Sequence, residues 1–130
     1  MKISFDFDGV LSTCETVRDY AKKLIAQDID VWICTARYFD GNKNALWGNA
    51  SNDDVYNIAK ELGIPFSNII FTNMEDKSSY LEKLQPVWHL DDDDYICGEI
   101  IENSSIPCID VKHRSWRYYC DLLIKIHNHE

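Results

Sequence analysis

Five short apolar runs, each followed by a stretch of helical periodicity, constrain this chain more than any other feature. Ile3 to Phe7, Val31-Trp32-Ile33-Cys34, Ile69-Ile70-Phe71, Val87-Trp88-His89-Leu90 and Ile106 to Val111 read as strands. Between and after them, apolar residues recur at helical spacing. Val17, Tyr20, Ala21, Leu24 and Ile25 mark a first helix, Val55, Ile58, Ala59 and Leu62 a second, and Tyr80, Leu81 and Leu84 a short third. Ile96, Ile100 and Ile101 mark a fourth, and Trp116, Tyr119, Cys120, Leu123 and Ile124 a fifth. Repeated strand-helix alternation predicts an α/β fold with a parallel sheet and right-handed crossovers. Ser12-Thr13-Cys14-Glu15 is a capping-box pattern ahead of the first helix, and Gly63 and Pro65 stop the second. Pro107 places the last strand at a sheet edge, because proline cannot donate to a ladder. Residues 1–130 read as one three-layer α/β/α domain.

Bulk properties narrow the functional classes. A chain of 130 residues with 45% hydrophobic and 27% charged residues can bury a real core. No apolar run approaches the roughly 20 residues of a membrane span, and the chain opens on strand material rather than a signal-peptide pattern. Cys14, Cys34, Cys97, Cys108 and Cys120 form no C-x-x-C pair. They are expected to be buried free thiols in a reducing cytoplasm, without a nucleophile among them. The net charge of −9 disfavours a broad nucleic-acid-binding face.

In open α/β sheets the site lies at the carboxyl ends of the strands. Those ends hold Asp6 and Asp8 on the first strand, Thr35 on the second and Asp91-Asp92 on the fourth. Lys77 begins the third helix, just upstream of the fourth strand. Alternate residues of a strand share a face, so Asp6 and Asp8 are expected to line one site. Carboxylates that close repel unless a cation or proton intervenes, and magnesium, a hard ion held by oxygen ligands, is the natural partner.

Asp6-Phe7-Asp8-Gly9, Cys34-Thr35-Ala36-Arg37, Lys77 within Glu75-Asp76-Lys77-Ser78, and Leu90-Asp91-Asp92 stand in the order of four motifs. In this the chain resembles the haloacid dehalogenase-like (HAD) phosphatases over nearly its whole length. The resemblance implies a five-stranded parallel sheet of order 5-4-1-2-3. It also implies that Asp6 is the nucleophile that forms an aspartyl-phosphate and that Asp8 is the general acid and base. Thr35 and Lys77 would hold phosphoryl oxygens. Mg2+ would be held by the Asp6 carboxylate, the Asp8 main-chain carbonyl and the Asp91-Asp92 pair. Within the acidic run, Asp92 would be the direct ligand and Asp91 either a ligand or a support behind one, with Asp93 and Asp94 a helix cap and a solvated charge. Family caps are inserted after the first motif or the third strand. Neither insert is present at domain size, so the chain resembles capless members.

An open site needs other walls. The loop from Tyr38 to Asn52 carries Phe39, Lys43, Trp47 and Asn49; Trp47 either stacks on substrate or packs on the core. Thr35, Ala36, Arg37, Lys77, Trp47 and Arg114 form the substrate-binding set, with Arg37 either touching substrate or pairing with an acidic neighbour. Lys112, His113, Arg114 and Arg117 either bind a second phosphate or a nucleic-acid backbone, or form a charged helix start. His89 reads as a packed histidine rather than a ligand. The expected activity is a magnesium-dependent phosphomonoesterase acting on a small phosphate ester such as a nucleotide, with a segment similar to that of deoxyribonucleotidases. The alternatives are a phosphatase of polynucleotide ends and a non-catalytic phosphate- or metal-binding module. Homo-oligomers are compatible with this reading, and a membrane partner is not expected.

Overall fold

The computed structural model describes residues 1–39 and 51–129. Five parallel strands, β1 (Lys2–Phe5), β2 (Asp30–Thr35), β3 (Ile69–Phe71), β4 (His89–Asp91) and β5 (Cys108–Asp110), form one sheet of order β3-β2-β1-β4-β5. Read from the other edge, this is the predicted 5-4-1-2-3. The helices are α1 (Glu15–Ala26), α2 (Asp53–Leu62), α3 (Lys77–Leu84), α4 (Asp94–Asn103) and α5 (Trp116–Asn128). Among the described residues none is long and apolar enough to cross a membrane.

Strand alternation sorts the core into two sides. Ile3, Phe5, Val31, Ile33, Trp88 and Leu90 join Val17, Ala21, Val55, Ala59 and Cys120, residues of α1, α2 and α5, in one buried cluster. Cys34 faces the other way, with Leu81 of α3 and Ile100 of α4. A fully buried Ile3, Ile33 or Leu90 each stabilises the fold by roughly 1.5–3 kcal/mol. Trp88 anchors α5: its ring meets Phe5 edge-on at 5.4 Å, and its Nε1 donates to the Cys120 carbonyl at 3.1 Å. Gly63 closes α2 in the left-handed region (φ 86°), as predicted.

Some local expectations do not hold. The capping box does not form: Cys14 is the N-cap of α1 without a side-chain bond, and Ser12 Oγ accepts from the Gly9 N–H at 3.0 Å instead. Ile101 and Tyr119 are 57% and 45% exposed, because the sheet fills only a narrow stripe of α4 and α5. The fourth and fifth strands are shorter than their apolar runs, and Pro107 lies just before β5, the edge strand. The cysteines are not all free. Cys97 of α4 and Cys108 of β5, with Cα atoms 5.3 Å apart, form a disulfide, while Cys34 and Cys120 are buried thiols and Cys14 is half-buried. Packing of α4 across β5 brings the pair together over a separation of 11 residues.

Candidate active site

The sheet delivers Asp6 and turns Asp8 away. Strand β1 ends at Phe5, and Asp6 continues it as extended backbone, its N–H donating to the Leu90 carbonyl at 2.8 Å. Asp8 (φ −66°, ψ 127°) and Gly9 (φ 75°, ψ −2°) then take the angles of a type II turn, whose second central residue needs a positive φ. Strand alternation therefore does not carry through to Asp8. Asp6 is 6% exposed, whereas the Asp8 side chain is 58% exposed and leans over the rim.

Around Asp6 the structure assembles a buried charge cluster. Lys77 opens α3, and its Nζ donates to Asp6 Oδ1 at 3.0 Å and to Asp91 Oδ2 at 2.7 Å. The Phe7 N–H also donates to Asp6 Oδ1, so neither bond uses Oδ2. Among the described residues, Asp6, Asp91 and Asp92 each present an oxygen within 4.8 Å of the others. Burial pushes the Asp6 carboxyl up to about 8, reinforced by the Asp91 and Asp92 charges and opposed by Lys77. Burial works against the Lys77 charge too, but Asp6 and Asp91 outweigh it and hold its pKa above the usual lysine value. The Asp91 carboxyl goes the opposite way. Its burial is overridden by the hydrogen bond from His89 and by Lys77, which hold it well below the usual carboxylate range. Burial thus favours a proton on Asp6, whereas His89 and Lys77 favour the ionised form of Asp91.

Thr35 ends β2 on the same rim, 1% exposed, and its Oγ1 accepts from the Arg37 N–H at 3.3 Å. The half-buried Ala36 ties β2 to the turn after β3 through its carbonyl, which accepts from the Met74 N–H at 2.7 Å. Arg37 pairs with acidic neighbours. Its Nε and Nη2 donate to the two Asp8 oxygens at 3.0 and 2.7 Å, and its Nη1 and Nη2 donate to Asp54 at 2.7 and 2.9 Å. The guanidinium sits 5.0 Å from the centre of the Phe7 ring. These hydrogen bonds, against a smaller penalty from burial, raise the Arg37 pKa and hold the Asp54 carboxyl low. Asp54 was not singled out from sequence; an acidic residue in a first helical turn is too ordinary to mark it.

The acidic run divides its work. Asp92 is half-buried beside Gly9, where a Cβ would collide with its carboxylate. Asp93 caps α4 by accepting from the Tyr95 and Ile96 N–H groups at 2.8 and 3.1 Å. The exposed Asp94 lies 3.5 Å from Lys112. The basic residues differ in their contacts. Lys112 also approaches Asp110 at 3.9 Å, Arg117 stacks 4.9 Å over the Tyr20 ring of α1, and Arg114 is exposed. Lys43, Trp47 and Asn49 lie outside the described residues.

No protein-family model matches the chain, and no curated protein matches it by sequence. Among solved structures it is similar to a Vibrio cholerae protein assigned by inference as a 3-deoxy-D-manno-octulosonate 8-phosphate phosphatase. The two are 21% identical with a TM-score of 0.56, over 98% of this chain and 84% of the other. That likeness establishes the fold, which is the one the motif resemblance implied.

Proposed function

We propose that this chain is a magnesium-dependent phosphomonoesterase acting on a small phosphate ester through an aspartyl-phosphate. The observation that carries the reading is Asp6, a buried carboxylate with Oδ1 fixed by Lys77 and the Phe7 N–H. In the reaction, Asp6 Oδ2 forms a bond to phosphorus as the ester oxygen leaves. Lys77 and Thr35 hold phosphoryl oxygens, supplying most of the catalysis by position and charge. Asp8, released from Arg37 and protonated from solvent, gives that proton to the departing oxygen, and takes one back from the water that then cleaves the acyl phosphate.

The all-oxygen donor set suits a hard cation such as Mg2+. Asp6, Asp92 and the Asp8 main-chain carbonyl would hold it, with Asp91 behind them. When bound, it supplies the charge that keeps Asp6 ionised and acts as a Lewis acid on the phosphoryl group. The glycine at position 9 supports this reading, since it leaves room for the Asp92 carboxylate. Gly9→Ala is expected to weaken Mg2+ binding at least tenfold by calorimetry. The forced positive φ alone costs only about 1–2 kcal/mol of stability. Unchanged affinity would remove Asp92 from the ligand set.

The inferred assignment of the Vibrio cholerae protein as a 3-deoxy-D-manno-octulosonate 8-phosphate phosphatase supports a small ester. Lys112 beside Asp94 and Asp110, and Arg117 over Tyr20, are already engaged, which favours it over a polynucleotide end. The test is phosphate release from nucleoside monophosphates, sugar phosphates and 3′-phosphorylated oligonucleotides, with Mg2+ and with a chelator. Release from a small ester that stops on chelation is expected. Full turnover without metal, or none on any ester, would reject the proposal.

A further inference from the structure

The alternation that brings Asp6 and Asp91 to the rim also buries two more polar side chains beneath them. Ser4 and Asp6 share one face of the extended β1 segment, His89 and Asp91 share the same face of β4, and Ser4 stands in register with His89. Ser4 and His89 are fully buried, as is Asp91. Ser4 Oγ lies 2.8 Å from His89 Nδ1, and His89 Nε2 lies 2.8 Å from Asp91 Oδ2. The phosphatase chemistry proposed above uses neither Ser4 nor His89.

The donors in this chain run in one direction. Nε2 faces a carboxylate, so it carries the imidazole proton; Nδ1 is then an acceptor, and the Ser4 hydroxyl donates to it. Asp91 Oδ2 therefore accepts from His89 and from Lys77 at 2.7 Å. Asp91 Oδ1 accepts from the backbone N–H groups of Asp92 and Asp93, at 2.9 and 3.3 Å. A carboxylate offers about four lone-pair directions, and Asp91 has a donor on each. A carboxylate so occupied orients its donors: Lys77 toward Asp6, and the Asp92 backbone beside Gly9.

We propose that His89, oriented by Ser4, is a positioning residue that fixes Asp91, so that Asp91 aims Lys77 at the phosphoryl site and sets Asp92 as the cation ligand. This rests on the phosphatase reading for its consequence in turnover and on geometry alone for the chain itself. Hydrogen-bonded partners behind metal-site carboxylates are commonly worth 10–100-fold in affinity or activity. A leucine at position 89 would fill much of the space but leave Asp91 Oδ2 with one donor fewer.

The test compares His89→Leu with His89→Gln, whose amide N–H can stand near the Nε2 position. His89→Leu is expected to lower both kcat and Mg2+ affinity by about 10–100-fold, with KM for the ester nearly unchanged. His89→Gln is expected to recover most of both. Equal losses in the two folded variants would reduce His89 to packing and overturn the proposal, as would no loss in either. If His89→Leu does not fold, Ser4→Ala and the imidazole nitrogen NMR spectrum of the unmodified protein decide. The proton is expected on Nε2 in the wild type, with the preference weakened and Mg2+ affinity reduced in Ser4→Ala. A wild-type proton on Nδ1, or unchanged affinity in Ser4→Ala, overturns the chain whatever the activity. The expected tautomer in a protein that hydrolyses no ester would reject the phosphatase reading and leave the positioning chain standing.

Discussion

Asp6→Asn is expected to abolish phosphate release while making the metal-free chain more stable. The substitution keeps shape but removes the oxygen proposed to attack phosphorus, and losing a nucleophile commonly costs several orders of magnitude in kcat. The stability change follows from the pKa. Asp6 keeps its proton in the folded chain up to about pH 8, whereas an unfolded aspartate releases it near 3.8. The folded state therefore binds more protons between those values, and its stability falls as pH rises through that window. An asparagine does not titrate. Its advantage over the wild type should grow with pH by up to about 1.4 kcal/mol per unit, and by less where Lys77 and the other carboxylates readjust. Urea unfolding of both proteins at pH 5 and pH 8, in chelator, measures it. Undiminished phosphatase activity in the variant would reject Asp6 as nucleophile, and a gap that does not widen with pH would reject its buried, protonated state.

The fold was legible because strand and helix periods alternate cleanly, and because Pro107 marks an edge that β5 does occupy. The rim was legible only in part. Simple alternation put Asp6 and Asp8 on one face, but Gly9 makes the turn that carries Asp8 to Arg37. The fork from Arg37 to Asp54 joins β2 to α2 across a separation of 17 residues, and no local pattern announces it. His89 reads as a packed histidine from its apolar neighbours, and it is fully buried. What it packs against depends on the β1–β4 register, which places Ser4 opposite it. The Cys97–Cys108 pair has the same origin: a helix laid across a strand sets their distance. Pairwise register and interlayer packing are tertiary quantities, and composition and period do not encode them locally.

Lys77→Met is expected to be the most destabilising single change in the site. A lysine in the first turn of a helix opposes the helix dipole, so local energetics alone would predict that replacing it is harmless or mildly favourable. The structure reverses that sign. Lys77 is 3% exposed and is bound to Asp6 and to Asp91, of which Asp91 is fully buried. Removing one partner of a buried ion pair leaves the other uncompensated, at a typical cost of about 3–5 kcal/mol. Methionine keeps most of the side-chain volume, so the loss should come from charge rather than a cavity. Two further measurements separate this from general damage. In Lys77→Met/Asp91→Asn one orphaned charge is gone, and the double variant should be more stable than Lys77→Met alone. Added Mg2+ should also stabilise Lys77→Met more than the wild type, because a divalent cation supplies positive charge to the same carboxylates. Phosphatase turnover should stay low in both variants, since charge restored to the carboxylates does not replace the donor proposed to meet the phosphoryl group. Denaturant unfolding of the four-protein cycle, with and without Mg2+, gives the coupling directly. A Lys77→Met variant as stable as the wild type would mean that the lysine is a solvated helix start and that the buried cluster does not hold the site together.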